Sequence, residues 1–306
     1  MKTIIRYVLP IVMLSLVTWA AGPSNPPQAD SSSALIYLGL FNGQGVDIFQ
    51  PGHSGGPAGQ LLDGLTNITG DVAVGPDRQV YVTTGGGWVV AYPHGGFVPV
   101  RRYQFPDQVQ PTVTTGIAIG NDGTLYAALY HDGLVVAYPK GNTQKASLVI
   151  PVPLGNTAYA VAVDSQNNLY IAYGGSLFGE PGFIERCAAG STQCNDMGVT
   201  LGSSGYHLAL DSQGNVIACD QLAGQIDIFP PSGGQPRVIS QGLVGCGSFA
   251  LNHDGSQLFV ANQPHDGNNK GISVFDYASG KFLKKITAGI PADDLLFGVA
   301  LSPAAQ

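Results

Sequence analysis

The sequence repeats one short pattern six times, and this repetition constrains the fold more than any other feature. Each copy places an alanine between two apolar residues, and a polar turn and a second apolar stretch follow in all but the last copy. The alanines recur at intervals of 45, 44, 47, 41 and 50 residues. They are Ala73, Ala118, Ala162, Ala209, Ala250 and Ala300. A regular period of this length is typical of small structural units that bury their apolar surfaces against one another.

Each repeat contains enough residues for four short strands. A first apolar strand leads into a turn such as Asn121-Asp122-Gly123, and a second strand follows. After a glycine-rich loop comes a third strand that ends in an aromatic residue, and then a fourth, for example 147–152. Four antiparallel strands in about 45 residues are the unit of a β-propeller blade. The sequence therefore predicts an all-β fold, a six-bladed β-propeller.

The two ends of the repeat region are complementary. The last copy stops after its first strand, at 298–303, whereas 34–49 looks like the second and third strands of a blade that lacks its first. We therefore expect the C-terminal strand to complete the first blade and to close a single propeller over 34–306. Two β-sandwiches are the alternative architecture, but the even repetition of one pattern argues against them.

The N-terminal segment has the features of a signal peptide. Lys2 and Arg6 precede an apolar run at 7–19, and small residues follow. We expect cleavage after residues 1–20, a flexible linker over 21–33, and a secreted or periplasmic protein. An uncleaved membrane anchor is the alternative, but the apolar run is short for a bilayer span. After cleavage no membrane span is expected.

The charge balance limits the kinds of partner. The chain has 13 Lys and Arg against 20 Asp and Glu, so its formal net charge is −7. Nucleic-acid binding depends on neutralising phosphates with basic side chains, so we expect no nucleic-acid partner. Only 11% of the residues are charged, which also disfavours a helical bundle laced with charge pairs.

Four cysteines in an exported chain predict two disulfides, for which three pairings exist. Cys187 and Cys194 flank a short hairpin within one blade, and propeller topology places Cys219 and Cys246 between adjacent blades. We therefore predict Cys187–Cys194 and Cys219–Cys246. A metal site is the alternative, but no Cys-x-x-Cys spacing occurs. Asn67 begins a glycosylation acceptor motif, which matters only if the source glycosylates.

The segments GIAIGNDGTLYAALYHDGLVVAYPKG and LALDSQGNVIACDQLAGQIDIFPPSG resemble NHL repeats. The resemblance covers nearly all of 34–306 and implies the propeller fold, but it does not imply an activity. Six-bladed relatives of the gluconolactonase and regucalcin type hydrolyse lactones with a divalent metal. Their Glu, Asn and Asp ligand positions fall here on Phe297, Tyr159, Gly247 and Tyr206. Because hard cations need several oxygen ligands, we expect no metal, no cofactor and no activity of that type.

Propellers usually bind ligands at one mouth of the central channel. The residues just before each first strand and just after each second strand line that mouth. Our candidates for ligand binding are Asp71, Tyr159, Tyr206, His207, Asp220 and Asn262. Aromatic residues with polar tips suit a sugar or a peptide. His207 and Asp71 could form an acid/base pair across the channel, but a rim histidine is more often structural, so we assign no catalytic residue.

Taken together, the sequence favours an exported propeller that acts as a binding or interaction module. Its partner would be a small molecule, a glycan or a protein at the channel mouth. A hydrolase or lyase with a divergent site at the same mouth is the first alternative, and a structural scaffold is the second.

Overall fold

The computed structural model describes residues 34–42, 45–52, 55–65, 69–85, 87–105, 114–174, 180–202, 205–263, 270–292 and 294–302. Within them, twenty-four strands form six separate four-stranded antiparallel sheets. This arrangement confirms the predicted six-bladed propeller. The signal peptide, the linker and Asn67 lie outside the described residues.

The innermost strand of each sheet surrounds the central channel. These strands are β4 (Thr69–Val74), β8 (Thr114–Ile119), β12 (Thr157–Val163), β16 (Gly205–Leu210), β20 (Cys246–Leu251) and β24 (Leu296–Ser302). The second strands are β1 (Leu35–Leu40), β5 (Val80–Thr84), β9 (Leu125–Leu129), β13 (Leu169–Gly174), β17 (Val216–Asp220) and β21 (Gln257–Asn262). The second strands are rich in β-branched and aromatic residues and are almost wholly buried, as suits the middle of a sheet.

The third and fourth strands lie farther from the axis. The third strands are β2 (Gly45–Phe49), β6 (Trp88–Tyr92), β10 (Leu134–Tyr138), β14 (Gly182–Cys187), β18 (Gln225–Phe229) and β22 (Gly271–Asp276). The outer strands are β3 (Gly59–Leu61), β7 (Arg101–Gln104), β11 (Leu148–Pro151), β15 (Cys194–Leu201), β19 (Arg237–Ile239) and β23 (Phe282–Ile286). Blade 1 consists of β24, β1, β2 and β3, and blades 2 to 6 follow in chain order.

The ring closes through its first blade, as the sequence predicts. Strand β24 pairs antiparallel with β1, with Leu38 opposite Val299. The backbone N–H of Leu35 also donates to the Ser302 hydroxyl at 3.0 Å. The innermost edge of blade 1 is therefore supplied by the C-terminal strand, and no sheet is left one strand short.

The apolar core is divided among the interfaces between neighbouring blades, which we call seams. Six clusters of buried side chains occur among the described residues, one at each seam. The repeated alanines all occupy the same register, for example Ala118 opposite Tyr126 and Ala162 opposite Tyr170. A small residue in this register lets the inner strands approach the axis closely.

The predicted disulfide pairing is present. One bond joins Cys187 to Cys194 at the hairpin between β14 and β15. The other joins Cys219 in blade 5 to Cys246 in blade 6. Two disulfides are typical of a protein that folds in an oxidising compartment. Over the described part of the chain, no helix has the length and apolar character needed to cross a membrane.

Candidate functional site

Every inner strand carries a β-bulge near its start. In blade 4, Ala158 and Ala160 pair with successive residues of β13, so Tyr159 has no partner across the ladder. The register shifts at the equivalent place in the other five blades. A bulge bends its strand and re-aims nearby side chains. We call the end of the channel at which the inner strands begin the mouth.

These bulges explain one difference from the sequence analysis, which placed Asp71, Tyr159 and His207 ahead of the first strands. The structure places all three inside the inner strands. Backbone pairing between the first and second strands continues on the mouth side of each bulge. The inner strands therefore begin earlier than the apolar sequence pattern indicates.

Six equivalent residues next to the bulges form a ring around the axis, each two positions before a repeated alanine. They are Asp71, Gly116, Ala160, His207, Ser248 and Gly298. Four of the six are small. At Gly116 the neighbouring blade is so close that a Cβ would lie 2.7 Å from the Cα of Ala160. Asp71 and His207 are therefore the two members of the ring with side chains long enough to meet across the axis.

Asp71 and His207 belong to opposite blades, 2 and 5, and they do meet. His207 Nδ1 lies 3.3 Å from Asp71 Oδ1. Asp71 is only 2% exposed, and its carboxylate also accepts hydrogen bonds from the N–H groups of Val72 at 2.9 Å and Ile117 at 3.0 Å. The His207 ring packs edge-on against Phe249, with centroids 4.9 Å apart. Contacts from blades 2, 3 and 6 thus fix the positions of Asp71 and of His207, which lies in blade 5.

The channel beyond this pair is a cavity of about 300 Å³. It is lined by the apolar-alanine-apolar segments of all six inner strands, and His207 is the one polar side chain among these lining residues. The Asp71–His207 pair therefore forms a polar floor between the mouth and an apolar-walled channel.

Aromatic side chains occupy two sides of the mouth. Phe41 and Phe297 of blade 1 stack with centroids 4.9 Å apart, and both are half-buried. In blade 3, half-buried Tyr130 packs edge-on against Tyr159 and His131, at 5.4 Å and 4.9 Å. Burial and the neighbouring Tyr159 raise the pKa of the Tyr130 hydroxyl, which therefore stays protonated at neutral pH. Together these two groups offer apolar area and the hydroxyl of Tyr130 at the mouth.

Asp220 ends the second strand of blade 5 and is 5% exposed. Its Oδ1 accepts a hydrogen bond from the N–H of Ala223 at 3.0 Å, which stabilises the following hairpin. It lies close to buried Asp227. Burial and the charge of Asp220 raise the pKa of Asp227 to about 6, although Gln225 donates a hydrogen bond to it at 2.8 Å.

Asn262 occupies the equivalent place in blade 6 and is completely buried. Its amide donates to the carbonyl of Gly242 at 3.0 Å and to the Ser273 hydroxyl at 3.3 Å. Its side-chain oxygen accepts from the N–H of Val244 at 3.1 Å. The side chain is therefore used to fix the loop that leads into β20.

The structure brings together two of the six predicted ligand-binding residues, Asp71 and His207. Tyr159 is 1% exposed and lies under Tyr130. Asp220 and Asn262 lie at the mouth ends of their strands but inside the protein. Tyr206 belongs to β16, and its side chain lies outside the described residues. Ligand binding by all six residues stays a prediction.

None of the four positions that correspond to lactonase metal ligands carries a carboxylate or amide oxygen in its side chain. Phe297 stacks on Phe41, Tyr159 is buried and packs against Tyr130, and Gly247 has no side chain. Within the described ranges, no group of three or more His, Cys, Asp or Glu side chains is placed to hold a metal ion. These residues do not fit a divalent cation, which requires several converging oxygens.

Two contributors to the mouth were missed by sequence reasoning. Phe41 follows the second strand of blade 1, just as Tyr130 follows that of blade 3. Ser248 is the repeat equivalent of Asp71. Its hydroxyl accepts a hydrogen bond from the backbone N–H of Val299 at 3.1 Å. The Asp71 carboxylate accepts the equivalent hydrogen bond from Ile117. A position-by-position alignment of the six repeats could have identified both residues.

The fold defines the chain as a six-bladed β-propeller protein. No family model matches the sequence, and no curated protein matches it either. The likeness to NHL repeats therefore stays an interpretation of the quoted motifs.

Solved structures resemble this chain at low sequence identity. A protein of unknown function from Bacteroides caccae is 10% identical with a TM-score of 0.65, over 89% of this chain and 99% of that chain. Hydrazine synthase from Kuenenia stuttgartiensis is 18% identical with a TM-score of 0.48, over 56% of this chain and 48% of that chain. The first likeness shows the fold alone, and the second carries no argument.

Proposed function

We propose that this protein is an exported binding module that holds a small molecule, a glycan or a protein segment at the mouth of its channel. The observation that carries the proposal is the floor made by Asp71 and His207, with half-buried aromatic groups above it. A concave end with apolar area and a few fixed polar groups is the usual form of a ligand site.

Export is part of the same proposal. The two disulfides and the signal-peptide pattern of residues 1–20 both support it. Export would present the mouth to extracellular or periplasmic ligands, among which glycans and peptides are common.

Screening the purified protein against glycan and peptide arrays tests the proposal. Tyr130→Ala and Phe297→Ala together would remove aromatic area from both sides of the mouth at half-buried positions. Phe282→Ala on outer strand β23 is a matched control, because Phe282 is a partly exposed aromatic residue far from the axis.

We expect the wild type and the control to bind the same array members, and the double variant to lose roughly tenfold or more in affinity. Equal binding by all three proteins would show that the mouth is not the site. Failure of the wild type to bind any array member would contradict a glycan or peptide ligand.

The alternative function is proton-transfer catalysis at the same place, by a hydrolase or lyase. One observation favours it: the Asp71 carboxylate lies beside the imidazole of His207, with Oδ1 3.3 Å from Nδ1. A carboxylate that orients an imidazole in this way is a common general-base arrangement. If this alternative is right, a panel of esters and lactones would show turnover that His207→Gln abolishes and Phe282→Ala leaves intact.

A further inference from the structure

A second large cavity lies at the end of the propeller opposite the mouth. It is a groove of about 820 Å³ along the seam between blades 4 and 5. Its inner end is formed by Ile119, Val163 and Leu210, which also line the channel. Its outer end reaches Met197 and Pro231. The groove thus runs from the axis toward the rim, and its volume lies in the usual range for ligand sites.

The two neighbouring seams each carry a side-chain hydrogen bond at the place where the groove opens between blades 4 and 5. Between blades 3 and 4, the Asn121 amide donates to the carbonyl of Ser165 at 3.1 Å. Between blades 5 and 6, the Tyr277 hydroxyl donates to Asp211 at 2.9 Å. Among the described residues that line the groove, no side-chain hydrogen bond or ion pair joins blade 4 to blade 5, and the turn of blade 5 that corresponds to that of Tyr277 carries Pro231 instead of an aromatic residue.

The two carboxylates in the walls are already satisfied within the protein. Asp164 accepts the N–H groups of Gln166 and Asn168 at 3.0 and 2.8 Å. Asp211 accepts the N–H and side-chain amide of Asn215 at 2.9 and 2.7 Å, besides the Tyr277 hydroxyl. Neither carboxylate is left open to attract a cationic ligand.

Arg186 supplies the groove's positive charge. Its guanidinium lies 5.8 Å from the centre of the Tyr170 ring and 3.8 Å from Asp164, and its side chain is 49% exposed. A guanidinium has five N–H donors, so several remain for a bound molecule. With Asp164 and Asp211 beside it, the lining has a formal charge of −1, which disfavours an anionic ligand.

The walls also carry the neutral amide side chains of Asn121, Gln166 and Gln213, each of which makes one hydrogen bond within the protein and has further donors or acceptors. Amide and guanidinium groups can form hydrogen bonds with two neighbouring hydroxyls of one ligand. Met197 and the apolar inner end of the groove can contact the C–H faces of such a ligand. The lining therefore matches an elongated, uncharged molecule that carries many hydroxyls.

We propose that this groove binds an uncharged oligosaccharide, at a site separate from the mouth. The proposal does not depend on the function proposed for the mouth, because the two sites lie at opposite ends of the channel and share no residue.

Calorimetric titration with uncharged hexasaccharides tests the site, using maltohexaose, cellohexaose, mannohexaose and N-acetylchitohexaose. Ser212→Trp would fill the groove at an exposed turn, and Gln166→Ala would remove one amide. Gln193→Ala, at an exposed turn outside the groove, is the matched control. The Tyr130→Ala, Phe297→Ala double variant shows whether an oligosaccharide binds at the mouth instead.

We expect at least one hexasaccharide to bind the wild type, the Gln193→Ala control and the mouth variant with equal affinity. Gln166→Ala should weaken that binding roughly tenfold, and Ser212→Trp should abolish it. Binding of no hexasaccharide, equal binding by Ser212→Trp, or loss confined to the mouth variant would each overturn the proposal. Preference for hexagalacturonate or for extended peptides over every uncharged sugar would overturn the assigned ligand class.

Discussion

Two buried carboxylates in the third strands make the stability of the fold depend on pH. Asp47 and Asp227 occupy equivalent positions in the third strands of blades 1 and 5, and both are almost fully buried. Burial raises the pKa of each to about 6, and the nearby charges of Asp294 and Asp220 raise it further. Each carboxylate is therefore less stable in its charged form in the folded protein than in the unfolded chain.

The sign of the resulting pH dependence follows from these raised pKa values. Each protonated carboxyl contributes stability that is complete below pH 4 and is lost as the pH rises through about 6. Asp227→Asn keeps the size of the side chain and removes its charge. We expect it to raise the free energy of unfolding at pH 8 by about 1–3 kcal/mol and to flatten the stability profile between pH 4 and 7.

Chemical denaturation from pH 4 to 8 measures this effect. Asp254→Asn is the control, because Asp254 is fully exposed and hydrogen bonds from Ser256 lower its pKa. That change should give no gain at pH 8. A loss of stability in Asp227→Asn at pH 8 would show that the charged form of Asp227 is favoured in the fold.

At the scale of the strand, the bulges and the close approach of the inner strands determine which side chains reach the axis. The structure contains one bulge in every inner strand, and glycine follows it in two of them. At Gly116 an added Cβ would lie 2.7 Å from the Cα of Ala160 and 3.0 Å from the carbonyl oxygen of Tyr159. Backbone atoms cannot move aside as a flexible side chain can, so this seam requires glycine.

Gly116→Ala is therefore expected to cost about 1–3 kcal/mol of stability through overpacking. Gly56→Ala is the matched control, because its added Cβ would meet its nearest neighbour at an ordinary 3.6 Å. The two variants can be compared by thermal unfolding. An equal effect of both changes would mean that blades 3 and 4 do not approach as closely as described.

The two disulfides should differ in their contribution to stability. Cys219–Cys246 spans 27 residues and joins two blades, whereas Cys187–Cys194 spans 7 and closes a hairpin. A cross-link that closes a longer loop removes more entropy from the unfolded chain. Replacing both cysteines of the longer loop by alanine should cost about 1 kcal/mol more than the same change in the shorter loop. Urea unfolding of the two double variants checks this order, and the reverse order would contradict it.

At the scale of the whole molecule, the repeat pattern was sufficient to predict the number of blades and the closure of the ring. Alternating apolar residues and turns such as Asn121-Asp122-Gly123 are local signals, and six copies reinforce one another. Closure was predictable because the missing strand at one end matched the extra strand at the other.

Which side chains meet at the mouth, and how deeply they are buried, was only partly predictable from the sequence. The meeting of Asp71 and His207 follows from ring symmetry, because they occupy equivalent positions in opposite blades. The burial of Asn262 and Asp220 depends on loops that pack over the ends of their strands, which no local pattern reveals. The groove between blades 4 and 5 likewise depends on which side chains of two different blades meet, and no local pattern shows this.

The central claim is that a closed ring brings two opposite blades into contact at the floor of the mouth. A double-mutant cycle with Asp71→Asn and His207→Gln tests it directly, because these residues are far apart in sequence and meet only across the channel. Unfolding free energies at pH 7 should show a coupling of at least about 0.5 kcal/mol between the two changes. Strictly additive effects would contradict the contact and the floor that it forms.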